Sequence, residues 1–293
     1  MAYVGGDLGA TGMELGLFER DDPRNPGLIK AVSIPTTRSF DPDIGAVQRT
    51  LAEFAEIAPI QGAGFDVAGR FNTARSQLLF AGNLKGWTRR PLAHSIRMAL
   101  PIGIPVEFGN DAEALALYDA MMNPALEGKD FFAWYVGSGI GTGRITWIKV
   151  AGRWVPISLP MEGQHMEHSA LVEFPNPIQC GCGKFNCTER LGSGDGVAER
   201  FGVDHARKVP LWFYQTHVAQ AHARGMSWVL MDHMVDYVVF AGTVAVKEPY
   251  LGDCVRARLA ELMPEGTVPQ FVEGACKKAD SAVAGLTMLN RGR

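Results

Sequence analysis

The stretch YVGGDLGATGMELGLFE, Tyr3 to Glu19, decides the fold. Small and branched residues run into a turn at Gly9 to Gly12, and apolar alternation resumes at Met13, Leu15 and Leu17. That pattern predicts a strand, a tight turn and a second strand. Far along the chain, FFAWYVGSGIGTGRITWIKV (Phe131 to Val150) repeats the arrangement and is followed by RWVPISL. Two strand pairs with glycine turns, one in each half, predict a duplicated architecture.

Working outward, DIGAVQRTLAEFAEIA spaces Ile44, Val47, Leu51 and Phe54 at helical intervals, and GAGFDVAG reads as a strand. RPLAHSIRMAL reads as a helix, and IPVEFGNDAEALALYDAMM as a strand running into a helix with Asn110 and Asp111 at the corner. The second half predicts a long helix around Leu211 to Met231, a strand at DYVVFAG and helices at YLGDCVRARLAEL and ADSAVAGLTMLN. Alternating strands and helices imply an α/β protein with two lobes. The expected lobes are 1–112, completed by the C-terminal helix at about 278–293, and 113–277.

Bulk properties narrow the function. Apolar residues make up 47% of the 293 and charged residues 20%, a globular profile. The net charge is −3 and no Lys/Arg run exceeds two residues, so a nucleic-acid or anionic-membrane partner is not expected. The start has no basic, apolar and small-residue order of a signal peptide, and the most apolar segment is interrupted by Asp232, His233 and Asp236. A cytoplasmic location is therefore expected.

Chemistry-bearing motifs come next. Asp7 before the turn Gly9 to Gly12 is placed to meet a magnesium ion, while Thr11 and the turn amides are placed to meet phosphate oxygens. Read alone, the same residues also suit a plain tight turn. Ser138, Gly139, Gly141 and Thr142 in VGSGIGTGRI offer a second phosphate cradle, which lacks the Gly-Lys-Ser/Thr of a P-loop. At the strand-to-helix corner, Asp111 suits either a general base or a helix cap.

The stretch CGCGKFNCTER holds Cys180, Cys182 and Cys187, three of the five cysteines. In a reducing compartment this clustering argues for thiolate chemistry over a disulfide framework. With His165 or His168 upstream as a fourth ligand, three soft thiolates and an imidazole fit a closed, structural zinc site. Cys254 and Cys276 read as small core residues, and His94, His205, His217, His222 and His233 carry no assigned chemistry.

The Asp-x-Gly-x-Thr turn, the Asn-Asp corner, the second glycine turn, a Glu-x-x-His and Cys-x-Cys-Gly-x-x-x-Cys-x-Glu occur in that order, a combination that resembles the ROK family of sugar kinases and sugar-responsive repressors. The resemblance implies a two-lobed actin-like (ribonuclease H-like) fold with ATP and a hexose in the interlobe cleft. It implies Asp111 as catalytic base, and Gly69, Asn110, Glu162, His165 and Glu189 as sugar contacts. It implies His165 as zinc ligand with Cys180, Cys182 and Cys187, the loop 165–189 shaping the sugar pocket. Nucleotide and magnesium contacts would fall on Asp7, Gly9, Thr11, Gly12, Ser138, Gly139, Gly141, Thr142 and Gly242. The activity implied is glucokinase-like transfer to the 6-hydroxyl in a homodimer, with a non-catalytic sugar sensor or another phosphoryl donor as alternatives. The phosphate turn begins at Asp7, with no room before it for the helix-turn-helix of the family's repressors. Departures from the family pattern are Gly12 in place of Lys, Gln164 in place of Gly and Ala241 in place of Gly. The stretch between Gly196 and Asp236 is also shorter than the family norm.

Overall fold

The computed structural model describes residues 1–159, 168, 177–180, 182–244, 250–275 and 280–290. Glu162, His165, Gln164 and Cys276 lie outside the described residues. The first elements are β1 (Ala2–Leu8), β2 (Met13–Phe18), β3 (Leu28–Ile34), α1 (Phe40–Ile57) and β4 (Ile60–Val67). They are followed by β5 (Arg70–Phe71), β6 (Leu78–Phe80), α2 (Leu92–Arg97), β7 (Val106–Asn110) and α3 (Asp111–Met122). β1, β2 and β3 pair antiparallel, β4 and β7 add in parallel, and the strand order is β3-β2-β1-β4-β7. Helix α1 buries Ile44, Val47, Leu51 and Phe54, the apolar stripe its spacing dictates.

The second series is β8 (Phe131–Val136), β9 (Ile140–Val150), β10 (Arg153–Leu159), α4 (Thr188–Gly192) and α5 (Gly194–Phe201). After it come α6 (Leu211–Phe213), α7 (Ala219–Asp232), β11 (Tyr237–Ala241), α8 (Leu251–Leu262), β12 (Gln270–Val272) and α9 (Ser281–Thr287). The second sheet has the order β10-β9-β8-β11-β12, with β9 antiparallel to β8 and β11 and β12 parallel to it in turn. This is the strand order of the first sheet over again. The helix expected from Leu211 to Met231 is instead α6, a π-helical turn at Tyr214–Val218 and α7. Its inner face, including Phe213, Tyr214, Val218, Met226 and Leu230, joins Phe132, Trp134 and Phe240 in a core.

The chain divides into two compact units. One holds Met1–Gly128, Trp147–Ser158 and Ala275–Arg293, and the other Lys129–Thr146 and Leu159–Gly274. The division falls after Gly128 and not at 112, because α3 is bound to the C-terminal segment. Thr287 Oγ1 donates to Ala114 O at 3.2 Å, and the fully buried Asp119 accepts from Ala275 N at 2.5 Å. Helix α9 also lies directly on the first sheet. A Cβ at Gly5 would collide with Ala282 O, and one at Gly64 would sit 2.5 Å from Gly285 O. Only glycine allows that approach.

Candidate functional site

In the first unit the strand register lines up three acids. Antiparallel pairing sets Glu14 opposite Asp7, and parallel pairing sets Asp7 opposite Asp66. Paired residues share a face, so three carboxylates form a row across β2, β1 and β4. Asp7 is pushed up to about 7 by burial first and then by the charge of Asp111, with Glu14 adding to it and a hydrogen bond to Asp66 opposing it. Asp66 is 3% exposed and is held well above the usual carboxylate range by burial, then by Asp7 and Asp111. Ser33 Oγ donates to Glu14 at 2.6 Å. The turn after β1 is steadied from the next loop, where Thr36 Oγ1 donates to Gly9 O at 2.8 Å and Arg38 Nε to Ala10 O at 3.2 Å.

The Asn-Asp corner ends β7 and starts α3. Asn110 is the cap: its Oδ1 accepts from Ala112 N at 2.9 Å and Glu113 N at 3.4 Å. Its Nδ2 donates to Gly69 O at 3.0 Å, which brings Gly69, Asn110 and Asp111 together. With Asn110 in the cap position, Asp111 falls in the first turn of the helix, one Oδ accepting from Ala112 N at 2.9 Å. A buried ion pair braces the same corner. Arg75 Nη1 and Nη2 reach the two oxygens of Glu113 at 2.7 and 3.0 Å, and Nη1 also donates to Phe108 O at 3.0 Å. Asp66, Arg75 and Glu113 escaped the sequence reading. The available signal was an acid inside the apolar strand GAGFDVAG.

In the second unit the glycine turn is shorter than its sequence suggests. Gly141 and Thr142 sit in β9, opposite Tyr135 and Trp134, so the turn proper is Gly137 to Gly139. Gly194 N and Asp195 N, at the start of α5, donate to Gly137 O at 2.8 Å and Ser138 O at 3.2 Å. Gly242, with φ +102°, passes so close to β8 that a Cβ would lie 2.5 Å from Val136 O.

Beside that turn lies the cysteine loop. The ligand atoms of His168, Cys180, Cys182 and Cys187 all fall within 4.8 Å of one another, three of the four residues buried. Cys180 Sγ is 3.4 Å from His168 Nδ1, and Cys182 Sγ is 3.4 Å from Cys187 Sγ. Among the described residues the imidazole of this cluster is that of His168, where the resemblance implied His165. Cys180 is pulled down to about 3, first by the hydrogen bond from Cys187 and then by His168, while the same bond and burial push Cys187 up. One thiolate is thus already favoured. On its other side, His168 Nε2 lies 3.9 Å from Glu189 Oε2, and Glu189 in turn borders Gly139. Three thiol groups and an imidazole at this spacing fit the donor set of a structural zinc ion.

Two α/β units on sheets of one strand order, with an acidic strand end in one and a Cys₃His loop in the other, define a duplicated kinase-type fold. The ROK hexokinase from Thermus thermophilus has the same fold over 99% of this chain and 98% of its own, with a TM-score of 0.74 at 22% identity. A profile described as "ROK family" matches residues 3–292, and the chain belongs to that family. A glucokinase of Streptomyces coelicolor is 24% identical over 208 residues, 71% of this chain and 61% of that protein. The chain therefore spans less than two thirds of that relative. An N-acetyl-D-glucosamine kinase of Salmonella gallinarum is 27% identical over 235 residues, 75% of this chain and 74% of that protein.

Proposed function

We propose that this protein is a sugar kinase that transfers a phosphoryl group from ATP to the 6-hydroxyl of a hexose, with Asp111 as general base. The observation that carries this reading is the corner itself: Asn110 takes over the capping of α3, which releases Asp111 from that duty. Asp111 would accept the proton of the attacking hydroxyl, while Asn110 and the Gly69 backbone orient the sugar. Glu162, His165 and Glu189 are the further sugar contacts of this reading. Magnesium, when bound with the nucleotide, neutralises charge on the transferred group. Asp7 and the backbone of Gly9, Thr11, Gly12, Ser138, Gly139, Gly141, Thr142 and Gly242 would hold donor and ion.

A zinc ion held by His168, Cys180, Cys182 and Cys187 would act as a structural staple. Fixing Nδ1 of His168 in that way sets the direction of Nε2 toward Glu189, so the metal loop orders a polar edge for a sugar. We also read the chain as a homodimer. Trp212, Trp228, Met231 and Met234 are all more than half exposed, which supports a covered apolar face around α6 and α7.

The test is phosphoryl transfer by the purified protein to glucose, mannose, fructose, allose and N-acetylated hexosamines, with ATP or polyphosphate as donor. The expected product is a hexose 6-phosphate formed from ATP. Sugar binding by calorimetry without transfer from either donor would identify a non-catalytic sensor and overturn the proposal.

A further inference from the structure

The least explained group in the first unit is Asp66. It is 3% exposed on a central strand, and its Oδ2 is buried without a hydrogen-bond partner. Every surrounding charge adds to the difficulty: Asp7 lies directly opposite on β1, and Asp111 also acts on it. Glu14 extends the row on the far side of Asp7. A carboxylate buried among carboxylates is a cost that folding bears only if something opposes it. Among the described residues near it, no cation is aimed at Asp66: Arg75 is spent on Glu113 and Phe108 O, and Arg38 Nε on Ala10 O.

We infer that Asp66 and Asp7 together form a site for a hard divalent cation, magnesium or manganese, that is filled before any nucleotide arrives. Parallel pairing fixes the two side chains on one face of adjacent strands, and the orphan Oδ2 of Asp66 is the unused ligand atom. Oxygen-only donors suit magnesium or manganese and not the soft metal of the cysteine loop. Magnesium takes one or two protein carboxylates and keeps water in its remaining positions, so a pair is the right number. The compact four-ligand cage is seen only at the cysteines among the described residues, as expected if this second site is completed by water. The sugar-kinase reading places a cation at Asp7 only in company with a nucleotide. Asp66 makes the protein itself the carrier.

The site is tested without sugar or nucleotide, so its outcome is separate from that of the kinase proposal. Zinc-loaded protein, its cysteine loop already filled, is titrated with manganese and followed by electron paramagnetic resonance, with magnesium as competitor. One manganese per chain should bind, and Asp66→Asn, nearly identical in shape, should weaken it at least about tenfold. Magnesium or manganese should raise the melting temperature of wild type and leave that of Asp66→Asn unmoved. A wild type that binds no manganese, or an Asp66→Asn that binds it with wild-type affinity, overturns the inference. So does a variant that gains stability while its manganese binding is unchanged, because Asp66 would then merely share a proton with Asp7.

Discussion

At the scale of the residue, the question is what each polar side chain is free to do. Asn110 is engaged at both ends of its amide, and Asp111 follows it at the start of α3. If Asp111 is the base, Asp111→Asn should cut turnover by about 10²- to 10⁴-fold with sugar affinity kept, measured by steady-state rates and calorimetry on one preparation. Near wild-type turnover would remove it from the mechanism. His222 carries a different prediction. It is fully buried, accepts from Trp134 Nε1 at 3.0 Å, and burial holds it down to about 4 against an ordinary 6.5. With the folded value below the unfolded one, its contribution is present above about pH 6.5 and is lost as pH falls toward 4, worth up to about 3 kcal/mol. His222→Gln should flatten that part of the acid limb in urea unfolding at a series of pH values. Asp111 and the three cysteines were legible because their spacing is local. Asp66 was not, because its meaning comes from Asp7, which is brought opposite it only by strand pairing.

At the scale of the element, periodicity revealed α1 and the two glycine-turned strand pairs, where one face is buried and the alternation is clean. It could not reveal the π-helical turn at Tyr214–Val218, since one added residue per turn leaves the apolar count unchanged. Nor could it show that Gly5 and Gly64 are a landing surface for α9. Gly285→Val would press a side chain against the Gly6 backbone and should destabilise by about 1–3 kcal/mol. Gly45→Ala, mid-way in α1 with 3.5 Å to its nearest neighbour, should instead stabilise by about 0.5–1 kcal/mol. Denaturant midpoints of the two variants test the contrast. For the cysteine loop, Cys182→Ser should lose zinc by metal analysis and weaken sugar binding with it, since Glu189 begins the helix that follows Cys187. Unchanged sugar affinity in a zinc-free variant would detach the loop from the pocket.

At the scale of the whole molecule, the shared strand order of the two sheets was legible from the repeated turns, but the division after Gly128 was not. The allegiance of α3 is decided by residues more than 150 positions away, at Ala275 and Thr287. The exposed tryptophans of α6 and α7 predict association: light scattering should give twice the 31.8 kDa of one chain, and Trp228→Glu should return it to one. The seating of α9 on Gly5 and Gly64 has a consequence for biosynthesis. At about 5–20 residues per second, the ribosome releases the N-terminal strands tens of seconds before the helix that caps them. Throughout that interval the nascent first sheet has a bare, glycine-floored groove. A message truncated by even its last few codons would leave it bare permanently, a ready target for chaperone capture and proteolysis.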